Sequence, residues 1–168
     1  MGALDWKPNV QGLRWFTGKV WPGILHDFPD AVFHIAGRNP EANLKTMAKL
    51  PNVIYHGEIE DKFSFLHSGH IFIVPLFAGS GIRIKILEAM AAGCVVVSTP
   101  TGAEGLPVIH EKHLLLAEDR NSFKKEVTRL MREETLVNKI RENALHLIRN
   151  NFDTLRIEQL IGKVLENL

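Results

Sequence analysis

Apolar positions along the chain follow two alternating periods. Short, near-continuous apolar runs fall at Ala31–Ala36, Val53–Tyr55, His70–Val74, Val95–Val97 and His113–Leu116. Runs of this length, rich in β-branched residues, predict strands covered on both faces. Between them the spacing turns helical. Val10 to Leu25 carries Leu13, Phe16, Val20 and Ile24 on one face, Ile82 to Ala92 is a second helical segment, and 120–133, 134–149 and 153–167 predict three consecutive helices. Strand and helix in alternation imply an α/β fold. The expected architecture is a Rossmann-like, doubly wound parallel sheet of about six strands with helices on both faces. Gly and Pro mark the joints at Gly37-Arg38-Asn39-Pro40, Gly79-Ser80-Gly81, Pro100-Thr101-Gly102 and Gly105-Leu106-Pro107. The opening Met1-Gly2-Ala3-Leu4-Asp5-Trp6 leaves only a stub where a first central strand of about five residues belongs.

Composition narrows the picture. The 168 residues suit one domain, and 45% apolar with 23% charged residues is ordinary for a globular chain. A net charge of +1, with Lys and Arg dispersed, gives no footprint for nucleic acid or an acidic membrane. Cys94 is the single cysteine and stands in the apolar run Cys94-Val95-Val96-Val97, so it reads as a buried, inert thiol. No apolar run approaches the roughly 18 residues of a membrane span. The N-terminus has neither the basic start nor the apolar core of a signal peptide, and a reducing, cytoplasmic location is the expected default.

In open α/β sheets ligands sit outside the carboxyl ends of the strands, which directs attention to the loops, Gly37 and Arg38 among them. The richest loop follows Val74 and runs from Pro75 through Gly79-Ser80-Gly81-Ile82-Arg83-Ile84-Lys85 into Leu87-Glu88-Ala89. Glycines allow close approach to backbone amides, and a helix start attracts phosphate. Arg83 and Lys85 place two cations there. Glu88, flanked by apolar residues, needs a partner that two vicinal ribose hydroxyls would supply. Other nucleotide signatures fail. Ile84 stands where a dinucleotide fingerprint requires its third glycine, and Gly12–Lys19 has a P-loop spacer one residue too long. The eight histidines form no ligand set; His67 and His70 flank Ser68-Gly69 with no acidic or Cys partner nearby, so no metal is expected. Trp6, Trp15 and Trp21 are expected core anchors.

The stretch Pro75 to Gly102, with Gly79-Ser80-Gly81, Lys85, Leu87-Glu88-Ala89-Met90-Ala91, Gly93 and Val95-Val96-Val97, followed by Thr101-Gly102-Ala103-Glu104-Gly105-Leu106, closely resembles the donor-site motif of the "group 1" retaining glycosyltransferases. Leu4–Asn9 looks like that family's first strand-to-helix loop, Phe33–Gly37 its second strand, Asn52–Gly57 its third, and Asn151-Phe152-Asp153 its ending. The resemblance implies the C-terminal half of a GT-B fold. Residues 1–168 would form the nucleotide-sugar-binding domain, with terminal helices from about 120 to 167, and the N-terminal acceptor domain would be absent. It implies a UDP- or GDP-linked donor held without metal or other cofactor, and transfer of a hexose to a hydroxyl in glycan or polysaccharide assembly. Its partners would be the nucleotide sugar and the missing acceptor domain, with peripheral membrane association only through that missing half.

By the same resemblance Glu88 receives the ribose hydroxyls, and Gly79, Ser80, Gly81, Ile82, Gly37 and Arg38 join it around the donor. Two departures stand out. Ser80 occupies the place of a carboxylate that usually contacts the sugar, and Ala3 and Pro8 replace a Gly-Arg pair and a later Lys that contact phosphate in many relatives. Arg83 and Lys85 are then the expected diphosphate-stabilising, catalytic cations, as in a subgroup with Gly-x-Gly-x-Arg-x-Lys. Two rivals share the architecture. A sugar-nucleotide epimerase needs paired carboxylates in the cleft, which the linear sequence does not reveal. A non-catalytic receiver-like module needs an acidic residue at a strand end, and Val74-Pro75 and Ser98-Thr99 offer none.

Overall fold

A computed structural model describes residues 1–38, 47, 49–67 and 69–152. The expected helix over 153–167 and the joint residues Asn39 and Pro40 lie outside them. Five short strands occur among the described residues: β1 (Phe33–Ile35), β2 (Val53–Tyr55), β3 (Ile71–Val74), β4 (Val95–Ser98) and β5 (Leu115–Leu116). All pairings are parallel. They form two sheets, β1-β2 and β3-β4-β5, where the sequence predicts one continuous sheet of about six strands.

The fully apolar runs do what their composition dictates. Val95, Val96 and Val97 are entirely buried, and successive residues point to opposite faces. Val95 and Val97 join a core with Phe16, Val20, Ile24, Phe123 and Ile140. Cys94 and Val96 join a second core with Phe72, Val74, Ile86, Met90 and Ala144. One strand therefore supports both layers of helices, as a doubly wound sheet requires.

The first layer begins with α1 (Lys7–Trp15), continues through a π-helical turn (Phe16–Val20) and ends in α2 (Trp21–Asp27). Pro22 accounts for the widened turn, since it has no N–H to offer the carbonyl one turn back and its ring crowds that carbonyl. The predicted face holds, with Phe16, Val20 and Ile24 buried and Leu13 packed beside them. The remaining helices are α3 (Lys62–His67), α4 (Ile84–Ala91), α5 (Pro100–Ala103), α6 (Arg120–Arg132) and α7 (Glu134–Asn151). Asp119 and Ser122 form a reciprocal cap at the start of α6. The α4 helix ends in Gly93 at φ +84°, with Gly93 N–H donating to Met90 O and Cys94 N–H to Ala89 O. This paired ending satisfies two free carbonyls and sends the chain straight into β4. Among the described residues no helix is long and apolar enough to cross a membrane.

One contact fixes α1 against the strand ends. A Cβ on Gly12 would lie 1.9 Å from the Pro75 carbonyl oxygen, while one on Gly18 would meet nothing within 4 Å. Gly12→Ala is expected to lose about 2 kcal/mol, the scale of overpacking in a tight contact. Gly18→Ala should be neutral, or more stable by up to about 1 kcal/mol through helix propensity. Urea unfolding of the two variants beside the parent checks both.

Candidate functional site

The carboxyl ends of β1 and β2 open onto a cleft of about 270 Å³ that α4 borders on its other side. Gly37 and Arg38 follow β1 into it, Glu58 and Ile59 follow β2, Lys62 comes from α3, and Lys85 and Glu88 from α4; Met1, Gly2 and Ala3 form the remaining wall. The N-terminal stub is tied beside β1: Gly2 N–H donates to Ala36 O (3.1 Å) and Leu4 N–H to Arg38 O (3.0 Å). The ends of β3 and β4 are also joined. The Thr99 hydroxyl donates to Leu76 O and accepts from Gly102 N–H, capping α5.

The loop before α4 carries Gly79 and Gly81 at φ +107° and +88°, conformations that suit glycine. Helix α4 begins at Ile84, two residues later than the sequence predicts, so Arg83 is its N-cap and Ile82 is an exposed loop residue. The side chain of Arg83 turns back and is 9% exposed. Nη1 donates to Ser80 O, the guanidinium lies 5.2 Å from the Trp6 ring centre, and Nε and Nη2 are buried with no partner among the described residues. Lys85, in the first turn of α4, donates from Nζ to Asn9 Oδ1 at 2.7 Å. Burial, and secondarily the neighbouring Arg83 charge, pushes its amine down to about 8.

Lys85, Glu88, Gly37 and Arg38 thus line one cleft. Gly79, Ser80, Gly81, Ile82 and Arg83 do not line it and lie beside it on the loop that leads to Lys85. Glu88 is less isolated than its apolar sequence neighbours imply. Its side chain is 39% exposed and Lys62 approaches to 3.8 Å, a pairing of little energetic weight at this exposure. Trp6 is no core anchor; it lies half-exposed over Arg83, whereas Trp21 is buried and Trp15 packs edge-on to Phe77 and Phe123. Glu58, Ile59 and Lys62 carry no signal of this placement in the linear sequence, and neither does the contact of Asn9 with Lys85. Glu58 and Glu88 line the same cleft, a pair of carboxylates that linear order conceals. Among the described residues no group of three or more His, Cys, Asp or Glu could hold a metal ion.

The family pattern of the group 1 glycosyl transferases matches residues 1–133. The chain belongs to this family. It is 30% identical to a 44.6 kDa protein of the cps region of Klebsiella pneumoniae, covering 97% of this chain and 44% of that protein. It is 28% identical to a phosphatidyl-myo-inositol mannosyltransferase of Mycobacterium leprae, covering 68% of this chain and 32% of the enzyme. The chain thus spans less than half the length of either curated relative. Its fold superposes on the C-terminal domain of a group 1 family glycosyl transferase from Francisella tularensis with a TM-score of 0.72 at 19% identity, over 92% of this chain and 84% of that one. It also matches Anabaena HepE in complex with UDP-glucose, with a TM-score of 0.73 at 18% identity, over 90% of this chain and 46% of that one. The architecture is that of a GT-B C-terminal domain, here with five described strands in two sheets.

The lowered Lys85 value has a consequence for stability. Between about 8, where the folded amine gives up its proton, and 10.5, where the unfolded one does, the unfolded chain binds more protons. Stability of the parent therefore rises with pH across that window, and below it the buried charge is a standing penalty. Lys85→Met is expected to stabilise the ligand-free chain by about 1–2 kcal/mol at pH 7, after the loss of the Asn9 bond. The gain should shrink toward zero as the pH approaches 10.5. Denaturant titrations at several pH values check the sign and the window.

Proposed function

We propose that the cleft is the donor site of a retaining glycosyltransferase and that this chain is its nucleotide-sugar-binding half. The observation that carries the reading is the pair of desolvated cations. Arg83 is buried with two unpartnered nitrogens, and the amine of Lys85 two residues on is depressed by burial. An uncompensated buried charge is costly, and an anion seated between the loop and the start of α4 relieves both. A diphosphate fits that role. As the bond between the sugar anomeric carbon and the diphosphate oxygen breaks, the oxygen keeps the electron pair. Arg83, Lys85 and the first amides of α4 stabilise the charge that develops, with no metal required.

Glu88 accepts hydrogen bonds from the two ribose hydroxyls, leaving the wall of Gly37, Arg38, Glu58 and Ile59 for the base. The Gly79–Ile82 loop meets the sugar, with Ser80 as its polar contact. The donor is UDP- or GDP-linked; UDP-glucose in the Anabaena relative supports the class of ligand. The acceptor hydroxyl is presented by a second domain, which gives the reacting geometry this half lacks. The mannosyltransferase relative supports sugar transfer in glycan assembly as the work of the whole protein.

Calorimetric titration with UDP and GDP tests the site. Glu88→Gln is expected to weaken the preferred nucleotide by about 1.5–3 kcal/mol, with little change in Tm because its ion pair with Lys62 is exposed. Unchanged affinity would remove Glu88 from the ribose.

A second titration isolates the diphosphate. The parent should bind the nucleoside diphosphate more tightly than the nucleoside, with the gap narrowing as salt rises. Arg83→Gln combined with Lys85→Met should erase most of that gap. If the double variant keeps the full preference, the helix start alone binds the anion and the role of the two cations is wrong.

A further inference from the structure

We propose that Trp6 and Asn9 are positioning residues: the turn that opens α1 holds Arg83 and Lys85, so that a diphosphate meets two cations already set in place. The proposal rests on the reading of those cations as the diphosphate site and adds to it the residues through which they act.

Arg83 and Lys85 flank Ile84 where the loop enters α4, and Trp6 and Asn9 belong to the first turn of α1. Trp6 is the N-cap of that helix, and its carbonyl accepts from Asn9 N–H at 3.0 Å and Val10 N–H at 3.2 Å. Pro8 lies between them in the first turn, where its fixed φ suits the helix and its missing N–H costs no bond. One stiff turn therefore carries both holders. The Asn9 amide is oriented at both ends. Its Nδ2 donates to Ala3 O at 2.9 Å, which leaves Oδ1 to accept from Lys85 Nζ at 2.7 Å. The Trp6 ring centre lies 5.2 Å from the Arg83 guanidinium carbon. Gly79 makes that stack possible. A Cβ at this position would fall 2.9 Å from Arg83 Nη2 and 2.9 Å from Trp6 Cζ2, so a larger residue would press the ring and the guanidinium apart.

Both holders are uncharged, and that is the point of the arrangement. An aromatic face attracts a guanidinium and an amide oxygen attracts an ammonium, yet neither cancels the charge it holds. A carboxylate in either place would hold its cation more firmly and repel an arriving anion. Trp6 covers Arg83 as well as orienting it. The arginine is buried, and its Nε and Nη2 have no partner among the described residues. A guanidinium fixed in this way loses little freedom when an anion binds, and the low local dielectric strengthens the contact. Trp6 itself is 36% exposed, while Trp21 is buried, so its ring gives little to the interior and much to Arg83. Side chains that fix a binding group from outside the ligand contact are the support that such a site requires.

Titration calorimetry with UDP, GDP, uridine and guanosine reads the role as a ratio, the affinity for the diphosphate over that for its nucleoside. Trp6→Leu and Asn9→Ala should each lower that ratio by roughly 5-fold. Nucleoside affinity, which checks that the site is folded, should stay at the parent's level. Trp6→Phe keeps an aromatic face and should restore most of what Trp6→Leu loses. The loss from Trp6→Leu should vanish in an Arg83→Gln background, and that from Asn9→Ala in a Lys85→Met background, because each holder acts through its cation. Variants that keep the parent's ratio, a Trp6→Phe no better than Trp6→Leu, or losses that persist without the cations would overturn the positioning role and leave the diphosphate site standing. A parent that shows no preference for the diphosphate would overturn both.

Discussion

The burial of β4 on both faces constrains everything else in this domain. A strand with helices packed above and below admits a polar side chain only where the backbone can partner it, so Val95, Val96 and Val97 are apolar and wholly buried and polarity begins at Ser98. Chemistry is thereby displaced to the strand ends. Ser98 and Thr99, the first polar residues after the run, spend their hydroxyls on the backbone at Val74, Leu76 and Gly102 and knit the ends of β3 and β4 together. The Gly93 ending of α4 fixes the same strand from its other end. The loop between β3 and α4 is therefore strung between two anchored points, and its glycines and cations inherit a defined place.

That place costs free energy without a ligand. Arg83 and Lys85 carry their charges out of water at one short loop, where Ser80 O, Asn9 Oδ1 and the face of Trp6 partly compensate them. A domain tuned only for stability would replace both with apolar residues. On the proposed reading the two charges serve an anion, and stability is given up for affinity.

The fold was largely legible in the sequence, because buried parallel strands need continuous apolar runs and those runs are unambiguous at Val53–Tyr55 and Val95–Val97. Boundaries were less so. The ladder keeps only the central part of Ala31–Ala36, since the hydrogen bonds of Ala31 and Ala36 belong to a turn and to Gly2. Arg83, Lys85 and Glu88 were legible because they lie within ten residues of one another beside a glycine pair. Asn9, Glu58 and Lys62 were not, because they come from α1, the loop after β2 and the start of α3, and only the fold brings them near Lys85 and Glu88. Trp6 was misjudged for a related reason. Its ring reads as core material, yet the residue that needs it is a guanidinium 77 positions downstream.

The placement of the tryptophans has an optical consequence. All three lie between residues 6 and 21, so the intrinsic emission of the chain comes from one segment. Trp21 donates its indole N–H to Pro51 O in the interior, and Trp15 is wedged among aromatic rings. Trp6 alone is half in water, against the guanidinium of Arg83. Emission from the first two reports the integrity of the core. Quenching or a colour shift at the third reports what Arg83 is doing, so the domain carries its own spectroscopic marker at the loop where an anion would arrive.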